Sequence, residues 1–255
     1  MIPRKLTHGL FCDELEVQKK GNHSLTLYYF GILIKTEIIE DIEQQIINTI
    51  SKLKPKPFHS VKHYKSQSNW DIFEKFNEII ITNNLKILCF AFVKDWFELD
   101  EFKVVNSLSF PEWKKFPFKN YRAKSFYLFL HVLNHHLNKK SNSNSYVRIF
   151  IDKGWLKINE SIEHQEIILN NIEKVFSTRQ KTIPLLALSD HVGYLFNKIK
   201  KSTYTNEQKL YLNKEIENDR FSKLSLDVYL KFSQLNLFNF LDLKEWNKYE
   251  DDKYL

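Results

Sequence analysis

Three stretches of the chain carry carboxylates in apolar company. Gly9-Leu10-Phe11-Cys12-Asp13-Glu14 is an apolar run that ends in two adjacent acids. Tyr146 to Ile151 (YVRIFI) is a second such run, and Asp152 ends it. Asp190 stands in LLALSDHVGYLFNKIK, among Leu185, Leu186, Leu188, Val192, Leu195 and Phe196. The first two read as buried strands and the third as a core helix. A carboxylate at the end of a buried strand needs a partner, and a divalent cation is one. Strand ends on one edge of a mixed sheet, with a helix across that edge, can gather such groups in a crevice. Hard cations take oxygen ligands and leave other positions to water or substrate phosphate. Two of them roughly 3.5–4 Å apart would activate a water and stabilise the leaving oxygen of a phosphodiester. Successive strand residues face opposite sides, so only one of Asp13 and Glu14 enters a given cleft. A blander alternative stands beside this one. Asp13 and Glu14 would leave a strand into water, and Asp190 would face solvent beside Lys198 or Lys201.

The elements that must position these acids follow from pattern. After the first strand, Gly21-Asn22 marks a turn. Leu25 to Lys35 (LTLYYFGILIK) is β-branched and aromatic but long for one flat strand, so Gly31 is expected to form a bulge or hairpin turn. Thr36 should cap a helix whose apolar face is Ile38, Ile42, Ile46, Ile47 and Ile50, ended by Pro55 and Pro57. Phe58 to Tyr64 (FHSVKHY) reads as a short extended or loop segment. Asn69 should cap a helix to about Thr82, with Trp70, Phe73, Phe76, Ile79 and Ile80 inward. Leu85 to Val93 is the most continuous apolar run and reads as a central strand covered on both faces. Asp95 to Pro117 is irregular, Asn120 to Lys139 is helical, and Ser141 to Ser145 is a flexible turn. Ile162 to Phe176 is expected to be helical, and Pro184 opens the helix of Asp190. From Thr205 the pattern turns to charged helices and then a Leu/Phe-rich segment to Phe240.

Strands alternating with helices predict a three-layer α/β domain with a mixed sheet over residues 1–203. Residues 204–255 would be a helical C-terminal extension packed on it. There are too few strands for a sandwich or barrel, and no internal repeat is present.

With 43% hydrophobic and 15% aromatic residues in 255, a large core can be buried and disorder is excluded. The net charge of +7 comes from scattered lysines and arginines, a balance compatible with a polyanionic partner but equally with a solvated surface. Cys12 and Cys89 lie in apolar runs and read as small core residues, not as a metal or disulfide framework. The polar Met1–His8 segment carries no secretory signal pattern, and no apolar run is long enough to span a bilayer. A reducing, cytoplasmic setting without a membrane is the expectation.

The order of FCDE, LYYFGILI, a helix, FHSVKHY, YVRIFID and PLLALSDHVGYL resembles the family catalogued as domain of unknown function 3800, an RNase H-like group. In that family the first strand carries Asp-Glu-Ser, a His-containing segment follows the first helix, and the last helix carries Ala-Asp in an apolar setting. The resemblance spans residues 8–200 and its motifs are short. It maps Asp13 and Glu14 onto the acidic pair, His59 onto the histidine, Asp152 onto the late-strand acid and Asp190 onto the helix acid. Leu15 replaces the small polar residue after the pair, which puts the turn geometry in question, and Ser189 stands where Ala is usual. The resemblance implies an RNase H-like fold and a metal-dependent nuclease-like site, in a mobile-element or phage-defence context. Asp13, Asp152 and Asp190 would hold Mg²⁺ or Mn²⁺. Glu14 would support from the opposite strand face, and His59 would orient the attacking water or the scissile phosphate.

Other patterns carry less. His131 and His135 have i, i+4 spacing compatible with zinc but lack an adjacent Glu or a thiolate, and they read as amphipathic-helix residues. Lys62, Lys65, Lys114, Lys115, Lys119, Arg122 and Lys124 flank Trp113, Phe116, Phe118 and Tyr121, a pattern that suits single-stranded nucleic acid but also ordinary core aromatics with solvated lysines. Five badly spaced glycines exclude a phosphate-cradling loop, and with it nucleotide-driven motors and Rossmann enzymes. Two functions remain: a metal-dependent phosphodiesterase acting on DNA or RNA, or a non-catalytic nucleic-acid-binding or assembly subunit. In the second case Leu235, Leu237, Phe238 and Phe240 would offer a surface to a second copy or a defence-complex partner.

Overall fold

Strand pairing explains the placement of every other element. The computed structural model describes residues 5–18, 25–51, 53, 58–64, 69–93, 121–140, 146–152, 161–163, 169–179, 182–202 and 220–241. Within them, β1 (His8–Gln18), β2 (Leu25–Lys35), β3 (Lys86–Val93), β4 (Val147–Asp152), β5 (Ser161–Glu163), β6 (Ile172–Thr178) and β7 (Phe238–Phe240) form one sheet. Its order is β5-β6-β4-β1-β2-β3-β7. β2 runs antiparallel to both β1 and β3, whereas β1, β4 and β6 are mutually parallel. β7 joins β3 in parallel and β5 joins β6 antiparallel, so the sheet is mixed.

Helices cover both faces. The first face is packed by α4 (Tyr121–Lys140), whose Phe126, Leu128, Phe129, Leu130 and Leu133 are fully buried against Leu10, Tyr29, Phe90, Ile149 and Val175. On the second lie α1 (Ile39–Ile50), the one-turn α2 (Ser60–His63), α3 (Trp70–Thr82), α5 (Leu186–Ser202) and α6 (Arg220–Gln234). Phe11, Phe30, Ile32 and Cys89 point there, as strand alternation requires. Each fully buried Phe, Leu or Ile contributes about 1.5–3 kcal/mol of transfer free energy. The result is a three-layer α/β arrangement. Among the described residues no helix is long and apolar enough to cross a membrane.

Several local expectations are corrected. LTLYYFGILIK is a single strand of eleven residues, and Gly31 pairs in register with Cys12 instead of bulging. Its glycine meets a spatial need. A Cβ there would lie 2.7 Å from Leu10 Cδ1 and 3.1 Å from Cys12 Sγ. Thr36 opens a 3₁₀ turn (Thr36–Ile38) and not an α-helix, because its hydroxyl donates to the Thr7 carbonyl at 3.0 Å and ties the helix entry to β1. In α1, Ile42 and Ile46 are buried but Ile47 is 39% exposed. FHSVKHY contains a helical turn, α2. Asn69 precedes α3 without capping it, and its side chain donates to the His63 carbonyl at 3.0 Å.

The largest misreading is Ile162–Phe176. Ile168, Ile172, Val175 and Phe176 mimic helical spacing, yet Ile172–Thr178 is strand β6, paired in parallel with β4. Tertiary pairing overrides the local period here. β3 is buried on both faces as expected, but it lies beside the edge strand β7 and not at the sheet's centre. The C-terminal segment is not wholly helical, since Phe238–Phe240 adds a strand. Leu237 is buried and Phe238 half-buried, while Leu235 and Phe240 are 46% and 54% exposed. Asn84 and Asn236, both at positive φ, turn α3 into β3 and α6 into β7 in the same way. The Asp95–Pro117 and Ser141–Ser145 readings lie outside the described residues, as do Pro55, Pro57, Leu210, Leu212 and Ile216.

Candidate acidic site at the end of β4

Register brings the first two acids together. β1 and β4 pair in parallel up to Cys12↔Ile151, so the next step along both strands is Asp13 and Asp152. Both follow a half-turn after Phe11 and Phe150, whose rings stack at 5.2 Å with planes 7° apart. Asp13 and Asp152 therefore share the second face, the one α5 crosses. Asp190 comes to the same place from α5. Burial pushes the Asp13 carboxyl well above its ordinary range, and the Asp190 and then the Asp152 carboxylates push it further. The Glu14 N–H, donating to Asp13 Oδ1 at 2.8 Å, offsets part of this. Two acids distant in sequence thus act on Asp13 where β4 ends beside β1.

Asp190 is not a solvated surface residue beside Lys198. Its side chain is 17% exposed, and both carboxylate oxygens accept from Ser60: the backbone N–H at 2.9 Å to Oδ2 and the hydroxyl at 2.7 Å to Oδ1. His59 lies beside it, with Nδ1 3.8 Å from Oδ2 and half its side chain in solvent. Asp152 and Asp190 thus lie within electrostatic range of Asp13, and His59 lies beside Asp190. His63 is turned inward instead, stacked on Phe58 at 5.3 Å.

Glu14 faces the other side, with Tyr29 as its cross-strand partner. Burial raises its carboxyl, and the Arg122 guanidinium 3.6 Å away and the Tyr29 hydroxyl pull it back. Arg122 also donates to Glu16, which commits it to β1 and removes it from the expected basic patch. Tyr29 and Ser125 hydroxyls meet at 2.9 Å, and Ser125 donates to the Arg122 carbonyl at 2.8 Å. Of that patch, Lys62 is exposed, whereas Lys65, Lys114, Lys115, Lys119, Trp113, Phe116 and Phe118 lie outside the described residues. His131 packs its ring 4.2 Å from Tyr127 within α4, and His135 is buried there.

The donor set is that of a hard cation: oxygens only, with net negative charge to neutralise. Among the described residues no group of three or more His, Cys, Asp or Glu side chains is arranged to hold a metal ion. Asp13 and Asp152, on adjacent strands, are the pair of carboxylates that the register sets side by side. Asp190 retains lone pairs beyond those that Ser60 occupies.

No family model matches this chain, and no match was found among curated proteins or solved structures. The site's meaning rests on its own chemistry.

Four residues escaped the sequence reading. Ser60, Tyr64, Asn77 and His191 form a buried polar set around Asp190. Tyr64 Oη is 2.7 Å from His191 Nδ1, and His191 Nε2 is 2.8 Å from Asn77 Oδ1. Burial lowers His191 to about 3, so the ring is neutral.

Proposed function

We propose that this protein is a divalent-cation-dependent phosphodiesterase acting on nucleic acid, with an RNase H-like domain as its scaffold. The observation that carries this reading is that parallel register sets Asp13 beside Asp152, with Asp190 near enough to push the Asp13 carboxyl up. Charge concentrated at a sheet edge is destabilising unless something positive relieves it. The order β3-β2-β1-β4-β6, with β2 reversed, supports the RNase H-like arrangement implied by the resemblance. The +7 charge is compatible with a polyanionic substrate.

A bound Mg²⁺ or Mn²⁺ would supply Lewis acidity toward a phosphoryl oxygen and a more acidic water. Asp13, Asp152 and Asp190 are the residues that would hold it. Ser60 keeps the Asp190 carboxylate in one orientation through two hydrogen bonds. His59, partly solvated at 3.8 Å from Asp190, is placed to accept a proton from an attacking water or to donate to a phosphate oxygen. Glu14 ties the middle of β1 to α4 from the opposite face through Arg122.

One observation favours a second reading, a nucleic-acid-binding or assembly subunit without turnover. Both oxygens of Asp190 are already engaged by Ser60. Cleavage of fluorescent single- and double-stranded DNA and RNA in Mn²⁺ separates the two. Wild-type cutting, lost in both Asp13→Asn and Asp190→Asn, supports the enzyme. Cutting that survives both substitutions removes the assignment, and binding without cutting supports the subunit.

A further inference from the structure

Asp190 and His191 are consecutive on α5, yet both bond to the same short segment. Asp190 takes Ser60 at the start of α2, and His191 takes Tyr64 just past its end. Consecutive helical side chains diverge by about 100° around the axis. Two bonds so spaced fix the rotation of α5 and the depth of α2 together, which one bond cannot do.

The chain continues inward. His191 Nε2 meets the amide oxygen of Asn77 on α3 at 2.8 Å. An amide oxygen only accepts, so Nε2 carries the proton and Nδ1 accepts from the Tyr64 hydroxyl. One tautomer and one direction of bonding follow. His191 is fully buried and Tyr64 and Asn77 nearly so, with Phe73 and Phe76 rings edge-on to the imidazole at 4.9 and 5.5 Å. A fully paired buried chain of this kind holds one geometry, where an apolar filling would leave the α2–α5 contact free to slide.

We infer that His191, bridged by Tyr64 and anchored by Asn77, is a positioning residue that holds α2 against α5 so that Ser60 keeps its two hydrogen bonds to Asp190 and His59 stays beside that carboxylate. Its importance for chemistry rests on the proposed function, but its geometry can be tested without metal or substrate.

Amide hydrogen exchange reads it directly. Tyr64→Phe keeps the ring and deletes only the hydroxyl, and His191→Leu fills the space while removing both the donor to Asn77 and the acceptor for Tyr64. In both variants the Ser60 amide should exchange roughly tenfold faster or more, while Phe30 in β2 keeps its wild-type rate. An unchanged Ser60 rate in Tyr64→Phe overturns the inference. So does acceleration of Ser60 and Phe30 by the same factor, which marks general loosening. Mn²⁺ titration of the same proteins adds the link to function: affinity should fall about 3- to 10-fold with each substitution, an indirect effect smaller than loss of a ligand. Wild-type protein that ignores Mn²⁺ counts against the metal reading alone, and the Ser60 exchange rate still decides the positioning role.

Discussion

Asp13 and Glu14 are neighbours on one strand, and the sheet sends them to opposite worlds. The α4 side of Glu14 is a core of Leu, Ile and Phe, with Arg122 and Tyr29 to balance its charge. The α5 side of Asp13 offers more acid from Asp190 and Asp152, and a chain of buried polar groups behind them. One layer is built for stability. The other gives up stability to assemble like charges, which is the physical mark of a site and not of a core.

That contrast should appear first in pH dependence. His191 binds a proton when unfolded but not when folded, because its pKa falls from the ordinary 6.5 to about 3. Its contribution to stability is complete above the unfolded value and is lost as pH drops through that window, at about 1.4 kcal/mol per pH unit and roughly 5 kcal/mol in all. Asp13 has the opposite sign. Its raised pKa favours the fold below its unfolded value and opposes it as pH rises toward the folded one. Denaturant unfolding of wild type and His191→Gln between pH 4 and 8 should give a shallower slope in the variant. Equal slopes would break the comparison.

On the α4 side the largest effect expected is steric. Gly31→Ala drives a methyl against buried Leu10 and Cys12 and should cost about 1–3 kcal/mol by urea unfolding, with little change in any metal response. The two acids then give the sharpest pair. At pH 7 without metal, Asp13→Asn should raise stability by about 1 kcal/mol, or 2–4 °C in Tm. Glu14→Gln should change it by less than half as much, because the Arg122 guanidinium and the Tyr29 hydroxyl offset much of the burial that raises its carboxyl. Equal gains for the two would erase the distinction between the faces. The smallest effect belongs to Tyr29→Phe, which removes one hydroxyl from Ser125 and should cost about 0.5–1.5 kcal/mol.

How far these faces could be read from sequence depends on the range of the interaction. Asp13, Asp152 and Asp190 stood out because each interrupts or ends an apolar run, a local signal. The opposite facing of Glu14 followed from strand alternation. β6 was missed because Ile168, Ile172 and Val175 have helical spacing, and only the pairing with β4 makes them a strand. Arg122 looked like part of a basic patch, because its partners Glu14 and Glu16 are over 100 residues away. Ser60, Tyr64, Asn77 and His191 were unreadable for the same reason. Each gains meaning only when α2, α3 and α5 meet.

The claim underneath all of this is that carboxylates gathered where β4 ends beside β1 await a cation. Thermal unfolding of wild type and Asp13→Asn, each with and without millimolar Mn²⁺, tests it most directly. Wild type should gain several degrees with Mn²⁺, since a ligand at 100 times its Kd adds about 2.7 kcal/mol, while Asp13→Asn starts higher and gains nothing. A wild-type Tm indifferent to Mn²⁺, together with an Asp13→Asn protein less stable than wild type, would contradict it.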